Sequence, residues 1–195
     1  MFSILIVSGG DCIKTKRDLD LVIMYIGLMS DTHGVFDAPF RDFFAPVDQI
    51  WHAGDFGGGL ILAAVIAQYK PLVGVAGNCD NYNLRYDYPI HRFFECEGMK
   101  ILMTHIGGYP GKYDRNALAL IERYQPDIFI CGHSHILKVV RDEKRNMLVI
   151  NPGAAGLQGF HLVRTALRFH IDDGKIHDME VFELDKERKS DFGEF

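Results

Sequence analysis

An α/β fold with a strand-rich second half is predicted, and three observations carry it. Strand-like apolar runs alternate with helical ones as far as Cys131; from Leu137 onward the runs are strands alone; and five short polar clusters each close an apolar run. In open α/β sheets, ligands gather where the carboxyl ends of neighbouring strands meet, and all five clusters occupy that kind of position.

Residues 23–29 are apolar and run into Ser30-Asp31-Thr32-His33-Gly34, the pattern of a buried strand entering a tight polar turn. A strand at 49–52, a helix at 60–69 and strands at 72–76 and 100–104 follow, then a helix at 115–124 and a strand at 127–131. The apolar stretch 60–66 reads as the core-facing part of its helix, with neither a heptad nor a basic amphipathic face. Strands at 137–141, 147–150, 166–171 and 175–184 come next, separated by turns such as Asn151-Pro152-Gly153 and Asp172-Asp173-Gly174. They are expected to form a second, largely antiparallel sheet packed on the first.

A chain of 195 residues, 48% hydrophobic, can bury a full core and most simply makes one domain. With 26 acidic against 21 basic residues and a formal charge of −5, it offers no basic face for a nucleic-acid backbone. An anionic substrate must find its positive charge elsewhere. Cys12, Cys79, Cys96 and Cys131 are far apart and form no CxxC pair, against a disulfide framework or a cysteine zinc site, so a cytoplasmic setting is expected. No apolar run approaches the ~20 residues of a membrane span, and residues 2–8 lack a basic leader. Met24 is a plausible start, which makes residues 1–23 an N-terminal extension before a domain at 24–195; an ordered arm is the alternative. The charged residues 186–195 are expected to be a frayed tail.

The clusters hold Asp31 and His33, Asp55, Asn78, His105, and His133 with His135. Two residues apart at a strand end, Asp31 and His33 are expected to point the same way by strand alternation, and so are His133 and His135. Asp55 follows Gly54, which lets the backbone approach closely, and its carboxylate is the candidate bridge between two cations. Asn78 offers a neutral amide oxygen that can also orient substrate. Mixed imidazole and carboxylate ligands without thiolate suit two divalent transition metal ions, Mn foremost, with Fe, Zn, Ni or Co also fitting. Ions ~3.5–4 Å apart acidify a bridging water and clamp a phosphoryl group, supplying the anion site that the acidic composition lacks.

The motifs DxH at 31–33, Gly54-Asp55, GNxD at 77–80 and GHxH at 132–135, in this order and spacing, resemble the calcineurin-like metallophosphoesterases. Over residues 24–184 the chain is most similar to small bacterial and archaeal phosphodiesterases of the YfcE type, through its SDTHG start, GNCD motif and NPG turn. The resemblance implies a four-layer α/β/β/α sandwich of two mixed sheets and a metal-dependent phosphodiesterase in which a metal-bridging hydroxide attacks phosphorus in line. It assigns Asp31, His33 and His135 to one metal, Asn78, His105 and His133 to the other, and Asp55 to the bridge. It also implies a homodimer or homotetramer. The retromer subunit of this fold, a protein-interaction scaffold, supplies the alternative reading.

Two positions depart from the family pattern. Cys79 stands where many members carry a His that protonates the leaving group, and a neutral thiol is a poor acid, so aryl phosphodiesters are expected to be cleaved faster than alkyl monoesters. Ile106-Gly107 replaces the second half of a THGH motif, and the following Gly108-Tyr109-Pro110-Gly111 is read as a mobile loop bordering the substrate pocket. Asp80 is expected either to orient the Asn78 loop or a ligand histidine, or to cap a turn. His52 is assigned to strand packing, His161 to the rim of the site at most, and Asn151-Pro152-Gly153 to a structural turn.

Overall fold

The computed structural model describes residues 23–186, so the expected extension 1–23, apart from Ile23, and the tail beyond Lys186 lie outside the described residues. Among the described residues twelve strands and four helices follow one another: β1 Met24–Met29, α1 Ala38–Phe44, β2 Gln49–His52, α2 Gly59–Tyr69, β3 Leu72–Gly74, α3 Leu84–Asp87, β4 His91–Cys96 and β5 Met99–Thr104. Then come β6 Gly108–Tyr109, β7 Lys112–Tyr113, α4 Arg115–Tyr124, β8 Ile128–Ile130, β9 Leu137–Asp142, β10 Met147–Pro152, β11 Val163–Asp172 and β12 Lys175–Asp185.

Two mixed five-stranded sheets form, in the orders β12-β11-β1-β2-β3 and β4-β5-β8-β10-β9. Each holds three parallel strands. In the first, β1, β2 and β3 run to one edge, and β11 and β12 extend the other side through antiparallel pairings; in the second, β5, β8 and β10 make the centre with antiparallel β4 and β9 at the edges. The late strands therefore do not make a sheet of their own. β9 and β10 complete the second sheet, while β11 and β12 return to the first, where β11 pairs antiparallel with β1 from Met24↔Ile171 to Leu28↔Leu167.

Three apolar cores separate four layers. Ile26, Leu28, Trp51, Ile101, Met103, Ile128, Ile130 and Phe169 fill the space between the sheets. On the outer face of the first sheet, Met29 and Ile50 pack against Phe40 and Phe44 of α1 and Leu62, Ala63 and Ile66 of α2. Leu102, Phe129 and Val149 meet Ala117 and Ile121 of α4 on the outer face of the second. Side-chain alternation explains why the central strands read as unbroken apolar runs: Ile101 and Met103 face inward and Leu102 outward, with both faces covered. Gly27 leaves room for a helix, since a Cβ there would lie 2.5 Å from the Phe44 ring.

α2 departs from its expected role. Leu62, Ala63 and Ile66 are buried, but Ile61 is 79% exposed, with Leu60 and Val65 also open to solvent. The expected mobile loop at 108–111 instead belongs to a small hairpin, in which β6 pairs with β7 across Pro110-Gly111. Gly111 has φ +84°, which a type II turn with Pro at its second position requires at the third.

Candidate metal centre

The expected ligand loops leave the carboxyl ends of β1, β2, β3, β5 and β8 and are laced together by backbone bonds. Asp31 N–H donates to Gly54 O (2.9 Å), His33 N–H to Asp55 O (3.1 Å), and Gly132 N–H to His105 O (2.9 Å). The convergence has a different local cause from strand alternation. Asp31, His33, Asp55, His133 and His135 all have positive φ, between 45° and 67°, so left-handed turns beyond the strand ends aim these side chains. For non-glycine residues such a backbone is costly and concentrates at functional sites. Gly54 makes the close approach expected of it: its φ is +97°, and a Cβ there would stand 2.6 Å from His105 Nδ1.

Each buried carboxylate is tied at one oxygen and open at the other. Asp31 Oδ2 accepts from Ser30 Oγ–H (2.6 Å) and His133 N–H (3.0 Å), which leaves Oδ1 facing His135 Nε2 at 3.1 Å, His105 Nε2 at 3.9 Å and His33 Nε2 at 4.0 Å. Asp55 Oδ1 accepts from Cys79 N–H (2.8 Å), and Oδ2 faces His105 Nε2 at 3.3 Å and His33 Nε2 at 4.0 Å. Asp55 would hold a cation at this face, with Oδ2 the oxygen turned toward the imidazoles.

This arrangement fits a cation. Among the described residues Asp31 Oδ1 and His105 Nε2 are buried without a hydrogen-bond partner, an expensive condition for a protein-only site. His33 Nε2 and His135 Nε2 also face each other at 3.5 Å. Ligand atoms of Asp31, His33 and His135 form one compact group, and those of Asp31, Asp55 and His105 another. His105 Nδ1–H donates to Ala53 O (2.8 Å), fixing the tautomer that presents the Nε2 lone pair.

Of the remaining expected ligands, the His133 ring lies at the exposed mouth, 5.3 Å between centroids from His105. Asn78 is exposed, its amide nitrogen donates to Cys79 Sγ (3.3 Å), and its oxygen has no hydrogen bond among the described residues. Asp80 is buried and ties two loops together, accepting from Gly57 N–H (3.1 Å) and Gly77 N–H (2.8 Å); it orients the Asn78 loop rather than a ligand histidine.

Electrostatics follow the same geometry. Burial pushes the Asp31 and Asp55 carboxyls up, but the imidazoles of His135 and His105 outweigh it, and both end below the ordinary carboxylate range. Burial lowers His105, yet the two carboxylates more than reverse this and raise its proton affinity. Burial, reinforced by Asp55, pushes the Cys79 thiol up to about 11, so it is neutral near pH 7.

His52 keeps to its structural role. Its Nδ1 accepts from Gly54 N–H (3.1 Å), its Nε2 lies 2.9 Å from Thr32 Oγ1, and its ring stacks on Phe56 at 3.7 Å. Three supporting residues escaped sequence reasoning in whole or in part. Asn151, read as a turn residue, donates through Nδ2 to Gly132 O (2.7 Å) and Ser134 Oγ (3.1 Å), bracing the loop that carries His133 and His135. His161, placed at the rim by sequence, lies 3.2 Å from His135 through facing Nδ1 atoms. Arg164 is buried, donates to Ala155 O (2.7 Å), and forms a two-pronged pair with Asp37 at 2.7 and 3.0 Å. The signal for His161 was its position a few residues after the 153–156 turn, and Arg164 had none.

Solved structures share this architecture. An archaeal phosphodiesterase is 24% identical, with a TM-score of 0.60, over 83% of this chain and 100% of that one. A predicted phosphoesterase from Streptococcus pneumoniae is 22% identical, with a TM-score of 0.58, over 84% and 99%. Vps29 from Entamoeba histolytica, solved with zinc, is 18% identical, with a TM-score of 0.62, over 83% and 99%. These likenesses speak to fold alone. No curated protein matches the chain. The sequence model of the calcineurin-like phosphoesterase superfamily domain does match, over residues 24–174. With that match spanning the strands and loops that assemble the two carboxylates and the facing imidazoles, the chain belongs to the calcineurin-like phosphoesterase superfamily.

Proposed function

We propose that the protein is a phosphodiesterase dependent on two divalent transition metal ions, with Mn the first candidate. One observation carries the reading: two buried carboxylates each tie down one oxygen and turn the other toward imidazole nitrogens, leaving Asp31 Oδ1 and His105 Nε2 unpartnered. Asp31, His33 and His135 would hold one ion, Asn78, His105 and His133 the other, with Asp55 shared. The ions, when bound, supply positive charge to the phosphoryl oxygens and activate water for in-line attack.

The chain's own groups prepare that site. Ser30 Oγ–H and the His133 and Cys79 amides hold the carboxylates in one orientation, and Ala53 O holds the His105 ring. Asn78, on the exposed lip, would orient a phosphoryl oxygen through its amide. The neutral Cys79 thiol leaves the site short of a strong proton donor, which favours esters with good leaving groups. A homodimer or homotetramer is part of the same proposal.

A second reading, a protein-interaction scaffold, draws on the outward face of α2, where Leu60, Ile61 and Val65 are exposed. Hydrolysis of bis-p-nitrophenyl phosphate separates the two. The phosphodiesterase turns it over with Mn, stops on chelation and resumes when Mn is restored. Absence of metal-dependent turnover in a protein that folds normally, with no change on Asp55→Asn, sinks the first reading and favours the second.

A further inference from the structure

We propose that the pocket between the β6–β7 hairpin and the 132–136 loop receives one arm of the ester, and that it selects an aromatic arm carrying its own negative charge. This deepens the phosphodiesterase reading and rests on it for the word ester; the pocket itself does not. Its volume is about 370 Å³, enough for a ring-sized group. Gly132 and His133 line it, and the His133 ring packs beside His105, so the pocket opens directly off the candidate metal centre.

The walls follow from the sequence departure at 106–107. A Cβ on Gly107 would overlap Cys131, so only glycine lets the chain lie this close to β8 before turning into the hairpin. Ile106, Tyr109, Ile136 and Val149 supply apolar walls, and Ile136 remains 63% exposed at the mouth. Two cations, Lys112 and Lys138, share the lining. Lys138 Nζ sits 3.7 Å from the centroid of the Tyr109 ring, held by an aromatic face rather than a carboxylate. Among the described residues neither lysine forms an ion pair, in a chain whose net charge is −5. The carboxylate in the lining, Asp114, is engaged at the start of α4, where Oδ1 accepts from Asn116 and Ala117 N–H. Apolar walls with an aromatic face beside unpaired ammonium groups complement a planar ring with an attached anion.

Three p-nitrophenyl phosphodiesters with methyl, phenyl or 4-carboxyphenyl as the second arm test this on the full chain with Mn. KM is expected to fall in that order, by about tenfold at each step. Lys138→Ala should erase the carboxyphenyl gain while the phenyl gain over methyl persists, and Lys138→Arg should restore it. Ile136→Trp, at the exposed mouth, should narrow the pocket and erase the phenyl gain. Equal KM values for the three diesters, or a carboxyphenyl gain that survives Lys138→Ala, overturns the proposal. Calorimetric titration of metal-free protein with 4-carboxyphenyl methyl phosphate and with dimethyl phosphate gives a readout independent of turnover. If no diester is hydrolysed but the aryl compound binds preferentially, the pocket stands and the phosphodiesterase reading falls. Equal or no binding there, without turnover, overturns the pocket as well.

Discussion

The Nδ1 atoms of His161 and His135 stand 3.2 Å apart, and that contact sets the chemistry of a candidate metal ligand from outside it. His161 Nε2 faces Gly156 O at 3.1 Å, an atom that only accepts, so Nε2 carries the proton and Nδ1 is left as an acceptor. Burial lowers the proton affinity of His161 and keeps the ring neutral. His135 then donates through Nδ1–H, which fixes its ring with Nε2 beside Asp31 Oδ1, 3.1 Å away. Lys186 Nζ approaches the same His161 nitrogen at 3.5 Å, further discouraging a proton there.

Removing this acceptor should weaken metal binding without unfolding the protein. His161→Ala is expected to lower metal affinity about 10- to 100-fold, the usual cost of losing a group that orients a ligand histidine. Calorimetric titration of Mn into chelator-treated protein reads it, alongside thermal unfolding without metal. Unchanged affinity would show that His135 is oriented by its own backbone.

The pair between Arg164 and Asp37 fastens α1 to β11. Asp37 precedes α1 but does not cap it with its side chain; both carboxylate oxygens go to the guanidinium, which also lies 4.5 Å over the Phe40 ring. Asp37→Ala takes the anion from the buried Arg164, but Asp37 is itself 39% exposed, so water screens part of the loss. The cost should be about 1–2 kcal/mol in urea unfolding, while Asp37→Asn, which keeps one acceptor, should cost less. A loss below about 0.5 kcal/mol would place the pair with ordinary surface bridges.

These contacts mark where sequence reasoning reached and where it stopped. Asp31, His33, Asp55, His105 and His135 were legible as candidate ligands because metal chemistry restricts residue type and each follows an apolar run, and the structure brings them together. The way they converge was not, since positive φ at Asp31 or His133 leaves no trace in a hydrophobic pattern. Asn151 and Arg164 act through partners 19 and 127 residues away, a distance no local window spans. The sheet allocation failed for a similar reason: alternation identifies β9 to β12 as strands, but only packing decides that β11 lies beside β1. Short elements were missed outright. α1 has seven residues with a proline near its start, and β4 mixes His91, Arg92 and Glu95 into its run.

His52 should give the fold a measurable acid sensitivity. Complete burial depresses its pKa from the ordinary 6.5 to about 3. Its stabilising contribution is therefore whole above pH 6.5 and is lost progressively as pH falls toward 3, because the unfolded chain takes up a proton that the folded one refuses. Between pH 6 and 5, metal-free wild type should lose about 1.2 kcal/mol more stability than His52→Gln. Parallel slopes in urea unfolding across that window would mean that His52 is solvated or protonated in the fold.

Cys79 yields the sharpest functional test. Its backbone N–H steadies Asp55, so a substitution there keeps that bond and changes only the side chain at the lip of the site. The thiol, pushed up to about 11, holds its proton too tightly to assist a departing alkoxide at neutral pH. Wild type should therefore hydrolyse aryl diesters far faster than alkyl monoesters, whose leaving groups need a proton. Cys79→His places a group of ordinary pKa near 6.5 at the same position and should raise alkyl monoester turnover by about 10²-fold, with a far smaller change for aryl diesters. The gain should fall at high pH as the imidazolium deprotonates, a profile that a merely structural repair of the loop would not produce. Steady-state rates for the two ester classes across pH 6 to 9 decide it, and equal rates for both classes in wild type would remove Cys79 from any account of specificity.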